Sequence, residues 1–190
     1  MTRIIIILSL LGISMAASIV KRDTKCTVDD PVKVIKCIAQ MNNFIADIDS
    51  LDLDEKEEVK QFEASCISLQ SCFGDVKCND TATKMQMGVV IEAIESYCEA
   101  ILYIARDFSS CSDKIDAVEE KDVVDCYEIW SPFSDEDTKK KPMEERCQSY
   151  FGQKNCLKKV ISEKCSKDEW ISFRDHFHRM GNMTCDLTNL

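Results

Sequence analysis

Twelve cysteines run through this 190-residue chain behind a short apolar leader, and that pairing limits its folds more than any other feature. Met1, Thr2 and Arg3 precede an apolar run over residues 4–15, and Ala16, Ala17 and Ser18 follow it. One positive charge, a short greasy stretch and a small-residue end form a secretory signal peptide, residues 1–17, with cleavage expected after Ala16 or Ser18. Lys21 and Arg22 lie where a propeptide cut could fall. In an oxidising compartment an even number of cysteines reads as six disulfides: Cys26, Cys37, Cys66, Cys72, Cys78, Cys98, Cys111, Cys126, Cys147, Cys156, Cys165 and Cys185. A zinc site would instead want close thiolate pairs with histidines nearby, and neither pattern occurs, so no metal is expected.

The spacing of the cysteines carries a second message. Within the first six, 10, 28, 5, 5 and 19 residues intervene; within the second six, 14, 20, 8, 8 and 19. Each set reads short, long, two equal gaps, then nineteen. This predicts one twelve-cysteine domain, 26–185, built from two units, 26–98 and 111–185, joined by residues 99–110. Six cysteines allow 15 pairings, and the spacing does not choose among them. A unit of this size buries a small core and depends on its bridges.

Five glycines, three prolines and little period-two alternation predict an all-α, disulfide-rich fold of about six helices, three to a unit. Pro31 suits a first helical position, and Val34, Ile35, Ile38, Met41, Ile45 and Ile48 follow at helical spacing. A second helix begins near Asp52 or Asp54, carries Val59, Phe62, Cys66, Leu69 and Phe73, and ends at Gly74. The third, about 83–106, is the most apolar, with Val90, Ile91, Ile94, Cys98, Ile101 and Leu102 inward. Ile115, Val118, Val123, Cys126, Tyr127 and Trp130 mark a helix that Pro132 stops. After a charged loop over 134–141, Pro142 opens a helix bearing Cys147, Tyr150 and Phe151. Gly152 interrupts before Leu157, Val160 and Ile161. Ser166 and Glu169 make a capping box for the last helix, and Gly181 closes it after Trp170, Phe173, Phe177 and Met180.

The formal charge is −10, and an acidic surface repels phosphate backbones and anionic headgroups, which argues against nucleic acid as a partner. In the apolar stretch 88–105, Glu92, Glu95 and Glu99 recur at spacings of three and four. That makes a buried helix with one wet face, and no membrane span is expected. The two histidines, His176 and His178, point about 200° apart on a helix and do not share a ligand. Neither G-x-S-x-G nor a C-C-x-x-H pattern is present, so no catalytic residue or cofactor is expected and the chain is not read as an enzyme. The acidic run from Asp47 to Glu58 fails as a calcium loop, because Leu51 takes a ligand position and Asp52 replaces the glycine. A solvated helix start accounts for those charges.

Asn79-Asp80-Thr81 and Asn182-Met183-Thr184 are N-glycosylation sequons, which makes Asn79 and Asn182 the candidate modification sites. With twelve cysteines, a signal peptide and two sequons, the chain resembles a nematode family of secreted twelve-cysteine modules catalogued as domain of unknown function 19. The pieces that carry the likeness best are Cys126-Tyr127-Glu128-Ile129-Trp130 and the stretch from Cys165 through Trp170 to Phe173. The resemblance implies an extracellular module in one copy and supplies no catalytic residues. The expected function is therefore that of a secreted binding module for an extracellular protein or glycan. The alternative is a carrier of a small apolar ligand, a lipid or odorant-like molecule, which needs an internal apolar pocket.

Overall fold

The computed structural model describes residues 31–48, 51–76, 81–118, 123, 126 and 142–182. The expected signal peptide and the charged loop at 134–141 lie outside the described residues. Seven α-helices occur among those described, and no strand: α1 (Pro31–Ile48), α2 (Lys56–Gly74), α3 (Thr81–Arg106), α4 (Ser109–Asp116), α5 (Met143–Gln148), α6 (Cys156–Lys164) and α7 (Lys167–Asn182). The chain divides into two compact units, one ending at Cys98 and the other beginning at Glu99.

In the first unit, α2 buries the stripe expected of it: Val59, Phe62, Cys66, Leu69 and Phe73. Its start is organised by side chains in the preceding turn. Asp52 Oδ1 accepts from the Asp54 N–H at 2.9 Å, and Glu58 reaches back so that its Oε2 accepts from the Asp52 N–H at 2.8 Å. Two bridges leave α2. Cys72 joins Cys37 on α1, and Cys66 joins Cys98 on α3. Six positions apart on a helix, these two cysteines point about 120° apart, so one helix is pinned to both neighbours.

Helix α1 buries Met41 and Ile48 of the stripe expected on it, but its inward face is rotated toward Cys37 and Phe44. Cys37, Met41, Phe44 and Ile48 are buried, whereas Val34, Ile38 and Ile45 are half-buried and Ile35 is 66% exposed. The bridged Cys37 fixes the rotation of the helix, and Phe44 then stacks on Phe62 with ring centres 5.4 Å apart. Tyr97 of α3 meets both rings edge-on, at 6.4 and 6.5 Å. Such pairs add about 0.5–1.5 kcal/mol beyond the area they bury.

The second unit takes residues 99–106 of α3 together with α4 to α7. Its core is a run of rings in contact: Tyr103, Phe108, Phe173 and Phe177 along one line, and Trp170, Phe151 and Tyr150 along another. Trp170 and Phe173, 6.3 Å apart, join the two lines. Between described residues this unit has the bridges Cys111 to Cys165 and Cys126 to Cys156.

Helix α4 carries the buried Ile115 and ends at Asp116, well short of the Trp130 at which the single longer helix was expected to stop. Val123 and Cys126 are helical and buried, while Tyr127 and Trp130 lie outside the described residues. Tyr150 and Phe151 sit in the turn beyond α5 rather than on it. The chain reverses there through Gly152 at φ 83°, Lys154 and Asn155, all in the left-handed region that glycine tolerates best. The cap of α7 is as expected, with Ser166 Oγ accepting from the Glu169 N–H at 3.0 Å. The helix runs one residue past Gly181, to Asn182.

Candidate functional site

A polar cluster of the second unit forms where α7 packs on the end of α3. Tyr103 donates its hydroxyl hydrogen to Glu169 Oε1 at 2.9 Å and accepts a bond from the Ser172 side chain. The His176 ring stacks on the Tyr103 ring with centres 4.0 Å apart and planes 8° from parallel. His176 Nδ1 lies 2.8 Å from the Ser172 carbonyl oxygen, and since a carbonyl can only accept, Nδ1 carries the proton. Arg179 pairs with Glu99 at the edge. Burial pushes the Tyr103 hydroxyl well above the ordinary tyrosine range; Ser172 opposes that shift and Glu169 adds to it. The hydroxyl therefore stays a donor at physiological pH, and the Glu169 oxygen that it engages is committed to it. The cluster can pin α7 to α3. It holds a protonated phenol on a carboxylate and an imidazole ring packed face-on.

No signal in the sequence pointed to this cluster, because Tyr103 and Glu169 are 66 residues apart. His176 is half-buried there. His178 faces elsewhere, with Nδ1 at 2.9 Å from the Asn182 side-chain nitrogen. Among the described residues no group of three or more His, Cys, Asp or Glu side chains is placed to hold a metal ion.

Of the predicted disulfide cysteines, Cys37, Cys66, Cys72, Cys98, Cys111, Cys126, Cys156 and Cys165 form the four bridges given above. Cys147, on α5, is also disulfide-bonded. Cys26, Cys78 and Cys185 lie outside the described residues, as does Asn79. Asn182 is exposed as the last residue of α7, and its side-chain nitrogen is the atom a glycan would take.

One further surface stands out by its chemistry. The outer side of α1 shows Val32, Ile35, Ala39, Asn42 and Ala46, at spacings of 3, 7, 10 and 14 residues from Val32. All five are exposed and none is charged. Val32 is 56% and Ile35 66% exposed. A helix of a small unit ordinarily turns charged side chains to water, and on α1 the exposed Lys36 and Asp47 do so beside this uncharged stripe.

The bridged helices define a class of disulfide-framed helical modules. The chain belongs to the family described as domain of unknown function (DUF19), whose model matches residues 26–186. It is similar to three proteins of Caenorhabditis elegans. The UPF0376 protein F10G2.1 is 39% identical, over 95% of this chain and 92% of that protein. The UPF0376 protein C36C5.12 is 37% identical, over 95% and 86%. A protein named "Excretory canal abnormal exc-13" is 35% identical, over 88% and 85%. No solved structure matches the chain.

Proposed function

We propose that this chain is a secreted, non-enzymatic binding module that recognises an extracellular protein or glycan through the exposed outer face of α1. The observation that carries the reading is the uncharged stripe of Val32, Ile35, Ala39, Asn42 and Ala46 on a helix held from behind by the Cys37–Cys72 bridge. A rigid helix that leaves apolar side chains in water gains most by covering them with a partner, and bridging removes much of the ordering cost of association. The compartment follows from the cysteines: bridges of this number persist outside the cytosol. No helix among the described residues is long and apolar enough to cross a membrane, which fits release from the cell. The exposure of Asn182 fits glycosylation there, with Asn79 the second candidate.

The test is a binding comparison between the secreted protein and a variant carrying V32D and I35D. Both are purified from culture medium and immobilised, then probed with extracellular fluid proteins and a glycan array. The expected result is a partner whose retention falls at least tenfold in the variant, with an unchanged melting profile. Equal retention by both proteins would remove α1 from the account, and accumulation of the chain inside the cell would remove the compartment.

A further inference from the structure

We infer that both units are closed by the same order of disulfides, first cysteine to fifth, second to fourth and third to sixth, so that Cys26 pairs with Cys78 and Cys147 with Cys185. Counting from one to six within each set, the first unit joins its second cysteine to its fourth, Cys37 to Cys72, and its third to its sixth, Cys66 to Cys98. The second unit joins its first to its fifth, Cys111 to Cys165, and again its second to its fourth, Cys126 to Cys156. The two sets share one pair and contradict each other in none. Laid over one another they complete a single pattern in which each unit supplies the pair that the other leaves open. Six cysteines have 15 possible pairings, so agreement of this kind has about one chance in 15 without a common plan.

Positions other than the cysteines carry the same correspondence. The residue after the fourth cysteine is buried in both units, Phe73 and Leu157. The residue three beyond the third cysteine is buried in both, Leu69 and Tyr150. Eight and four residues before the sixth cysteine stand Val90 and Ile94 in one unit and Phe177 and Gly181 in the other, all buried. The fourth cysteine lies on a helix in both units, and the fifth follows that helix's end: Cys78 comes after α2, and Cys165 after α6. Cys147 is bridged, and no cysteine among the described residues is free, so its partner must be found among Cys26, Cys78 and Cys185. Only Cys185 lies within its own unit. Each bridge forms as two thiols give up two protons and two electrons to an external protein disulfide, which is reduced to two thiols.

Peptide mapping of the full secreted chain decides the matter. The protein is alkylated without reduction, deglycosylated, cut with trypsin and analysed by mass spectrometry before and after reduction. Cleavage after lysine and arginine puts Cys26 in residues 26–33, Cys78 in 78–84, Cys147 in 147–154 and Cys185 in 180–190, four separate peptides. The expected products are 26–33 linked to 78–84, and 147–154 linked to 180–190. Linkage of either of the first two to either of the last two, or alkylation of any of the four cysteines, would overturn the inference.

Discussion

Tyr103 and Glu169, 66 positions apart, meet at 2.9 Å, hydroxyl to carboxylate, and so fasten the end of α3 to the first turn of α7. The same Glu169 lends its backbone N–H to Ser166 Oγ, so one residue both caps its helix and docks it. Replacing the hydroxyl alone, Y103F, should lower stability by about 1 kcal/mol, as should removing the cap with S166A. Thermal melts of the two single variants and the double variant check this. Because both changes act on one residue's placement, their effects should combine to less than their simple total.

Gly152 and Gly88 should respond in opposite directions to the same substitution. At Gly152, φ is 83° and an added Cβ would stand 2.5 Å from Cys156 Sγ, a sulfur tethered in the bridge to Cys126. The left-handed backbone and the clash together should make G152A destabilising by about 2–4 kcal/mol. At Gly88, within α3, a Cβ meets nothing within 4 Å, so G88A should stabilise by about 0.5–1 kcal/mol. Denaturant midpoints of the two variants read both signs.

Alkali should unfold the second unit through Tyr150. Its hydroxyl donates to the Phe177 carbonyl oxygen at 2.9 Å, and burial pushes its ionisation far above the ordinary tyrosine range. The folded protein therefore holds this proton more tightly than the unfolded chain does. The stability it lends is complete below the unfolded value, about pH 10, and is lost as pH rises beyond it. Urea midpoints should fall steeply above about pH 10 in the native chain and less steeply in Y150F. An identical fall in both would show that Tyr150 is not responsible.

The parts legible beforehand were those written locally. The stripe on α2 and the capping box of α7 depend on spacings of three and four, and both are found where the spacing put them. Helix α1 misled because it carries two apolar stripes. Met41 and Ile48 are buried as expected, but the other isoleucines gave way to Cys37 and Phe44, whose bridge to Cys72 and stacking on Phe62 are long-range facts. The Tyr103 cluster was illegible for the same reason. Its α7 members, Glu169, Ser172, His176 and Arg179, share one helix face at spacings of three and four, but nothing local says that this polar face meets Tyr103, and only the packing of α7 on α3 brings them together.

Bridges closing 35, 32, 54 and 30 residues each restrict the unfolded chain by about 3–4 kcal/mol in the chain-entropy account, against a typical total stability of about 5–15 kcal/mol. Removing one, as in C37S with C72S, should therefore cost about 2–5 kcal/mol and reach well beyond α1. The melting temperature of that double variant is the readout.

The claim at the centre is that an oxidised cysteine framework holds these helices together. It is tested most directly by counting reactive thiols in the denatured protein, purified without reductant, and then following its far-ultraviolet circular dichroism through reduction. The account predicts no reactive thiol before reduction, and loss of cooperative helical melting after it. Free thiols in the protein so purified, or a reduced chain that melts as the oxidised one does, would contradict it.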